Sequence, residues 1–112
     1  MAQFPFQIID WNTIDKTEHP GESGVALWQT LSLDGLRIRM VEYSPGYLAD
    51  HWCQKGHIVH CLSGEFTTTL ATGEHFLLKQ GMSYVVSDEL SSHQSSTITG
   101  VQLLIIDGDF LK

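Results

Sequence analysis

From Gly24 onward, turn-forming residues interrupt the chain so often that no helical periodicity of useful length survives between them. What remains is a succession of short β-prone runs. Residues 25–31 lead to the turn Leu33-Asp34-Gly35, and residues 36–43 end at Ser44-Pro45-Gly46. A crowded segment, 46–64, turns at Ser63-Gly64 into residues 65–70, where Phe66, Thr68 and Leu70 share one face. Thr72-Gly73 and Gln80-Gly81 separate residues 74–79 from 82–86, a polar stretch 87–92 intervenes, and residues 93–98 and 101–106 close the series. About nine short strands with turns at this spacing predict an all-β sandwich or barrel.

The remainder, residues 1–24, reads as an irregular leader to a single barrel spanning 25–112. Residues 4–9 are apolar and β-prone but contain Pro5, which suits an edge strand. Residues 17–24, Thr-Glu-His-Pro-Gly-Glu-Ser-Gly, read as an exposed loop with His19 solvated. A length of 112 residues with 42% hydrophobic residues supports one core. The net charge of −7 leaves no basic field for a phosphate backbone, so no nucleic-acid partner is expected. No apolar run approaches membrane-spanning length and the first ten residues do not read as a secretion signal, so the expected location is cytoplasmic, with no membrane partner. Two cysteines are too few for a disulfide framework and read as free thiols.

The candidate chemistry is concentrated in residues 46–64. His51, Cys53, His57 and His60 fall within ten residues, with Cys61 next to them. These are the side chains that bind transition metals. On a strand, alternate side chains share a face about 6.6 Å apart, so His51 and Cys53 form a chelating pair with Trp52 pointing away toward packing or a dimer interface. After Gln54-Lys55-Gly56, an inward His57 would place Val59 and Cys61 inward and His60 outward. His93, opening a later strand, would supply a fourth group.

This spacing resembles the first motif of the cupin superfamily, with Gly46, His51, Cys53, His57 and Gly64 in its places. The second motif resembles Gly81, residues 82–86 and His93. Cys53 stands where the family has its second histidine and His57 where it has glutamate; Ser87 replaces a proline, and Thr97 an asparagine. The string Asp50-His51-Trp52-Cys53 is also similar to a cupin subgroup named for Asp, His, Cys and Trp (DHCW), in a different order. The resemblance implies a double-stranded β-helix, jelly-roll-like barrel, a metal inside one end, often a homodimer, and His51, Cys53, His57 and His93 as metal ligands.

Four coordinating side chains would make a closed, zinc-like site; three histidines with Cys53 nearby would leave positions open, for zinc, iron, nickel or copper. The functional expectation is a metal-binding cupin acting on or sensing a small polar organic molecule. As an enzyme it would be a metal-dependent isomerase, lyase or dioxygenase; the alternative is a non-catalytic ligand-binding or structural barrel with a closed zinc site or no metal. Tyr47 and Tyr84 are candidates to line the pocket. Arg37 and Arg39 alternate with Leu36, Ile38 and Met40 and read as a solvated face, able to clamp a carboxylate only if that face is the inner one. No nucleophile elbow or phosphate loop is present.

Overall fold

The computed structural model describes residues 3–112. Its eight strands are β1 (Thr17–Pro20), β2 (Val25–Leu33), β3 (Leu36–Tyr43), β4 (His57–Leu70), β5 (His75–Lys79), β6 (Ser83–Val86), β7 (His93–Ser96) and β8 (Val101–Gly108). Short 3-10 turns lie at Trp11–Thr13 and Asp109–Leu111. All strand pairings are antiparallel, with the order β1-β2-β3-β8-β4-β5 and with β6 and β7 also on β4.

The architecture turns on β4. Its first half pairs with β8 and β6, and its second half with β5 and β7, so one 14-residue strand serves two sheets. The Ser63-Gly64 turn expected from sequence is instead a register shift within this strand. Gly64 adopts φ +80°, and a Cβ there would collide with the Gly100 carbonyl, so a non-glycine residue could not make the bend. The core between the sheets is Val41, Val59, Cys61, Phe66, Leu78, Val101, Leu103 and Ile105. Alternation does the sorting: His57, Val59 and Cys61 are buried while Ile58 and His60 are only partly so.

Three expectations change in the leader and in β3. Residues 4–9 form no strand, and Phe6 and Ile8 are 92% and 82% exposed; Pro5 lacks the N–H that a ladder would use. Residues 17–20, read as loop, are an edge strand whose ladder to Val25–Trp28 is made by backbone groups, which polar side chains do not prevent. In β3 the solvated face is reversed: Arg39 and Val41 are buried, while Leu36, Ile38 and Met40 are only partly covered. The arginines face the barrel interior because Asp107 on β8, the strand paired with β3, compensates them there.

Candidate metal centre

Residues 46–56 do not form the regular strand that alternation assumed. The segment is a loop pinned by isolated bridges, with Leu48 paired to Ser23 and Ser96 and Cys53 paired to His93. At the last of these bridges the Cys53 N–H donates to the His93 carbonyl at 2.7 Å, and the His93 N–H returns to the Cys53 carbonyl at 3.0 Å. This places two candidate ligands from distant parts of the chain side by side. His57 follows at the start of β4, held by Gly56, whose N–H donates to Asp88 Oδ1 at 2.5 Å.

Cys53, His57 and His93 bring one donor atom each within 4.8 Å of one another. Cys53 Sγ lies 3.3 Å from His57 Nε2, and the two imidazoles meet edge-on with centroids 5.4 Å apart. His51 is not in this group. Its side chain is 70% exposed and its Nδ1 is paired with Asp50 at 2.6 Å, although the residue lines the same cavity. Without a continuous ladder at 51–53, nothing forces His51 and Cys53 onto one face. His60 lies on the other face of β4 and pairs with Ser83 at 2.7 Å.

Each histidine's other nitrogen is oriented by a partner. His57 Nδ1–H donates to Asp107 Oδ2 at 3.1 Å, and His93 Nδ1–H donates to the Ser91 carbonyl at 2.8 Å. A carbonyl only accepts, so the neutral His93 ring carries its lone pair on Nε2. That atom is buried and has no hydrogen-bond partner among the described residues. Buried polar atoms are rarely left so, and a metal ion held by this atom would satisfy it. Two oriented imidazole nitrogens and a thiol are a competent donor set for a transition metal, with a carboxylate behind one histidine as metal-bound imidazoles require.

The thiol is prepared for the same role. Burial alone would push Cys53 up, but the adjacent imidazoles, His57 foremost with Nε2 at 3.3 Å, outweigh it and bring the thiol down to about 5. Burial tends to lower His57, yet its bonds to Asp107 and Cys53 win and raise it. Cys61, by contrast, is fully buried beside the core and pushed up by that burial.

Asp107, which sequence reasoning overlooked, is the hub. It is 1% exposed and accepts from Arg37 Nε and Nη2, both at 3.0 Å, from Arg39 Nη2 at 3.1 Å and from His57. Burial opposes its charge, but His57 and Arg37 lead the groups that hold it well below the ordinary carboxylate range. The signal was present in β8: Val101, Leu103 and Ile105 face the core, and Asp107 has the same parity.

The cavity over this centre measures about 300 Å³. Tyr47 and Tyr84 line it, together with Trp28, Tyr43 and the two arginines. Tyr43 and Tyr47 stack at 4.2 Å, and burial raises both Tyr43 and Tyr84 above their ordinary value, so these walls are neutral. A larger void of about 560 Å³ opens against β5 and β6, with Tyr84 and His93 lining both. The smaller cavity is the functional candidate because it alone holds the thiol, both imidazole nitrogens and the arginines.

The comparisons with known proteins bear on the fold. No family model matches the chain, and no curated protein matches it. Among solved structures it resembles ectoine synthase from P. lautus, with 17% identity, a TM-score of 0.74, and 92% of this chain and 78% of that chain covered. It also resembles a sugar phosphate isomerase from the cupin superfamily of Silicibacter pomeroyi, with 15% identity, a TM-score of 0.71 and 91% and 75% covered. The EutQ protein of Clostridium difficile matches with 15% identity, a TM-score of 0.69 and 84% and 75% covered. The chain therefore has the cupin fold. These likenesses bear on the fold and not on the DHCW subgroup.

Proposed function

We propose that this protein binds a divalent transition metal through Cys53, His57 and His93 and acts there on, or senses, a small polar organic molecule. The observation that carries the reading is the buried, unpartnered Nε2 of His93 facing the same group as the Cys53 thiol and His57 Nε2. A thiolate with imidazoles favours zinc, with iron, nickel and copper as competitors. His51 is the candidate fourth donor, since it lines the cavity and its present partner, Asp50, is an exposed carboxylate exchanged at little cost. With His51 bound the site is a closed zinc centre; without it, a position stays open for substrate. When bound, the metal supplies Lewis-acid polarisation of a carbonyl or enolate oxygen, or dioxygen chemistry if it is iron. An isomerase, lyase or dioxygenase is the enzyme class proposed.

Among the described residues no helix is long and apolar enough to cross a membrane. We place the protein in the cytoplasm and read it as a homodimer, the latter supported by the exposed apolar side chains of Phe76, Leu77, Met82 and Val85 on β5 and around β6. Light scattering of the purified protein tests the dimer.

Elemental analysis of protein purified without added metal tests the metal: about one equivalent is expected in the wild type and a large loss in Cys53→Ser and His93→Ala. With cobalt, a thiolate charge-transfer band should vanish in Cys53→Ser. Metal-free protein after gentle purification, with no uptake on titration, would refute the reading. Retention of one equivalent by His51→Ala would favour the open three-ligand site over the closed one.

A further inference from the structure

The barrel interior holds a concentration of positive charge that runs against the rest of the chain. Thirteen Asp and Glu outnumber six Lys and Arg overall, yet the cavity is lined by Arg37, Arg39 and Lys55 and by no carboxylate residue. Behind the lining, Asp107 alone answers both guanidinium groups, and one carboxylate neutralises only one of them. Arg37 takes the bidentate position, with two bonds at 3.0 Å. Arg39 is left with one bond, from Nη2.

Arg39 is 5% exposed, and its Nε–H is buried with no acceptor among the described residues. Leaving a charged donor unsatisfied in the interior is costly, so an acceptor belongs there. The guanidinium is also fixed in orientation, with Cζ 4.5 Å over the Trp28 ring, which is itself stacked on His19 at 3.7 Å. A purely structural arginine needs neither the vacant donor nor the adjoining cavity. The surplus charge, the free donor and the aromatic walls of Trp28, Tyr43, Tyr47 and Tyr84 describe one kind of guest.

We infer that Arg39, with Arg37 and Lys55, forms a carboxylate-binding subsite beside the Cys53-His57-His93 group, so that the ligand is a small organic carboxylate with an apolar body packed on the aromatic wall. This rests on the reading that the cavity is the ligand site and names its substrate class. A volume of about 300 Å³ suits a small molecule. Inorganic anions share the charge but cannot use the aromatic surface.

The test uses the full chain, metal-free and zinc-loaded, with nitrogen-15 NMR of the arginine Nε–H groups. Benzoate, cinnamate and isovalerate are each titrated against their primary amides, with inorganic phosphate as the other anion source. The expected result is a saturable shift of the Arg39 Nε–H by at least one carboxylate, with the amides and phosphate at least about tenfold weaker. Arg39→Lys, which keeps the charge but loses the guanidinium fork, should weaken that carboxylate about tenfold or more. Lys55→Ala, at an exposed position that folding does not need, should weaken it about threefold at low salt. Equal response to acid and amide, equal response to phosphate, or unchanged affinity in both variants would overturn the inference. Chelator competition on the same samples reads metal binding separately. Carboxylate binding without metal uptake would sink the metal reading alone, and metal uptake without carboxylate binding would sink this one alone.

Discussion

Replacing Asp107 with Asn tests the interior network directly, because the change keeps the shape and removes only the charge. In the native chain this side chain, 2% exposed, accepts four hydrogen bonds from three cationic or potentially cationic partners. Asn offers a single acceptor oxygen and turns an NH₂ donor toward groups that are themselves donors. Removing one partner from a buried ion pair costs about 3–5 kcal/mol, since the remaining charge stays desolvated and uncompensated. At about 4 °C per kcal/mol for a domain of this size, the metal-free variant should melt roughly 12–20 °C below the wild type in a calorimetric scan. Metal affinity, read by chelator competition, should fall about 10–100-fold as His57 loses the carboxylate that orients it. The pH dependence adds a second signature. The folded state holds the Asp107 carboxyl below its unfolded value of 3.8, so its contribution is complete above that value and is lost as pH falls through the folded one. Wild-type stability should therefore drop on acidification below about pH 4, and the drop should be shallower in Asp107→Asn. A variant melting within a few degrees of wild type, with unchanged metal affinity, would refute the account of Asp107 as hub.

Three further outcomes follow from the geometry. In metal-free protein, alkylation of Cys53 should rise through a midpoint near 5, against about 8.5 for an ordinary thiol, and zinc should suppress it while buried Cys61 stays unmodified; a midpoint near 8 would contradict the stabilisation of the thiolate by the imidazoles beside it. Gly56→Ala places a Cβ 2.6 Å from the Val86 carbonyl and 2.7 Å from the Asp88 nitrogen, both backbone, so it should cost about 1–3 kcal/mol in denaturant unfolding and weaken metal binding by displacing His57. His60→Ala, on the outer face, should leave metal affinity within about twofold of wild type in the same chelator assay; a tenfold loss would mean that His60 reaches the centre.

How much of this was legible in the sequence depends on which residues are disciplined by a ladder. Within β4, alternation correctly separated His57, Val59 and Cys61 from Ile58 and His60, because cross-strand bonds on both sides hold the period of two. The same rule applied to His51 and Cys53 had no ladder to enforce it, and His51 turned out to solvent. The pairing of Cys53 with His93 was visible only as a motif resemblance, since the bridge joins residues forty positions apart. Arg37 and Arg39 misled for a different reason. A charge on a strand goes outward unless something inside compensates it, and the compensating residue, Asp107, lies on a strand whose adjacency to β3 no local pattern reveals.

That hidden residue also changes the electrostatic argument about the site. Taken ligand by ligand, a histidine at position 57, where the cupin motif that the sequence resembles has glutamate, subtracts a negative charge from the centre. Asp107 returns that charge one hydrogen bond further out, behind the imidazole, where it raises the ring's basicity without occupying a coordination position. Arg37 and Arg39 then cancel it and add one positive charge more, and the Cys53 thiolate balances that surplus. With Lys55 counted, the protein groups come to about one positive charge as a set, so the charge of a bound divalent metal would add to it, uncompensated, in a cavity walled by neutral tyrosines. Interactions in such a setting are stronger than in water, and an anion on the Arg39 side of the cavity is the species that relieves the imbalance. On the proposed reading, the departures from the cupin motifs that this chain resembles act together with Asp107 to select the charge of the guest.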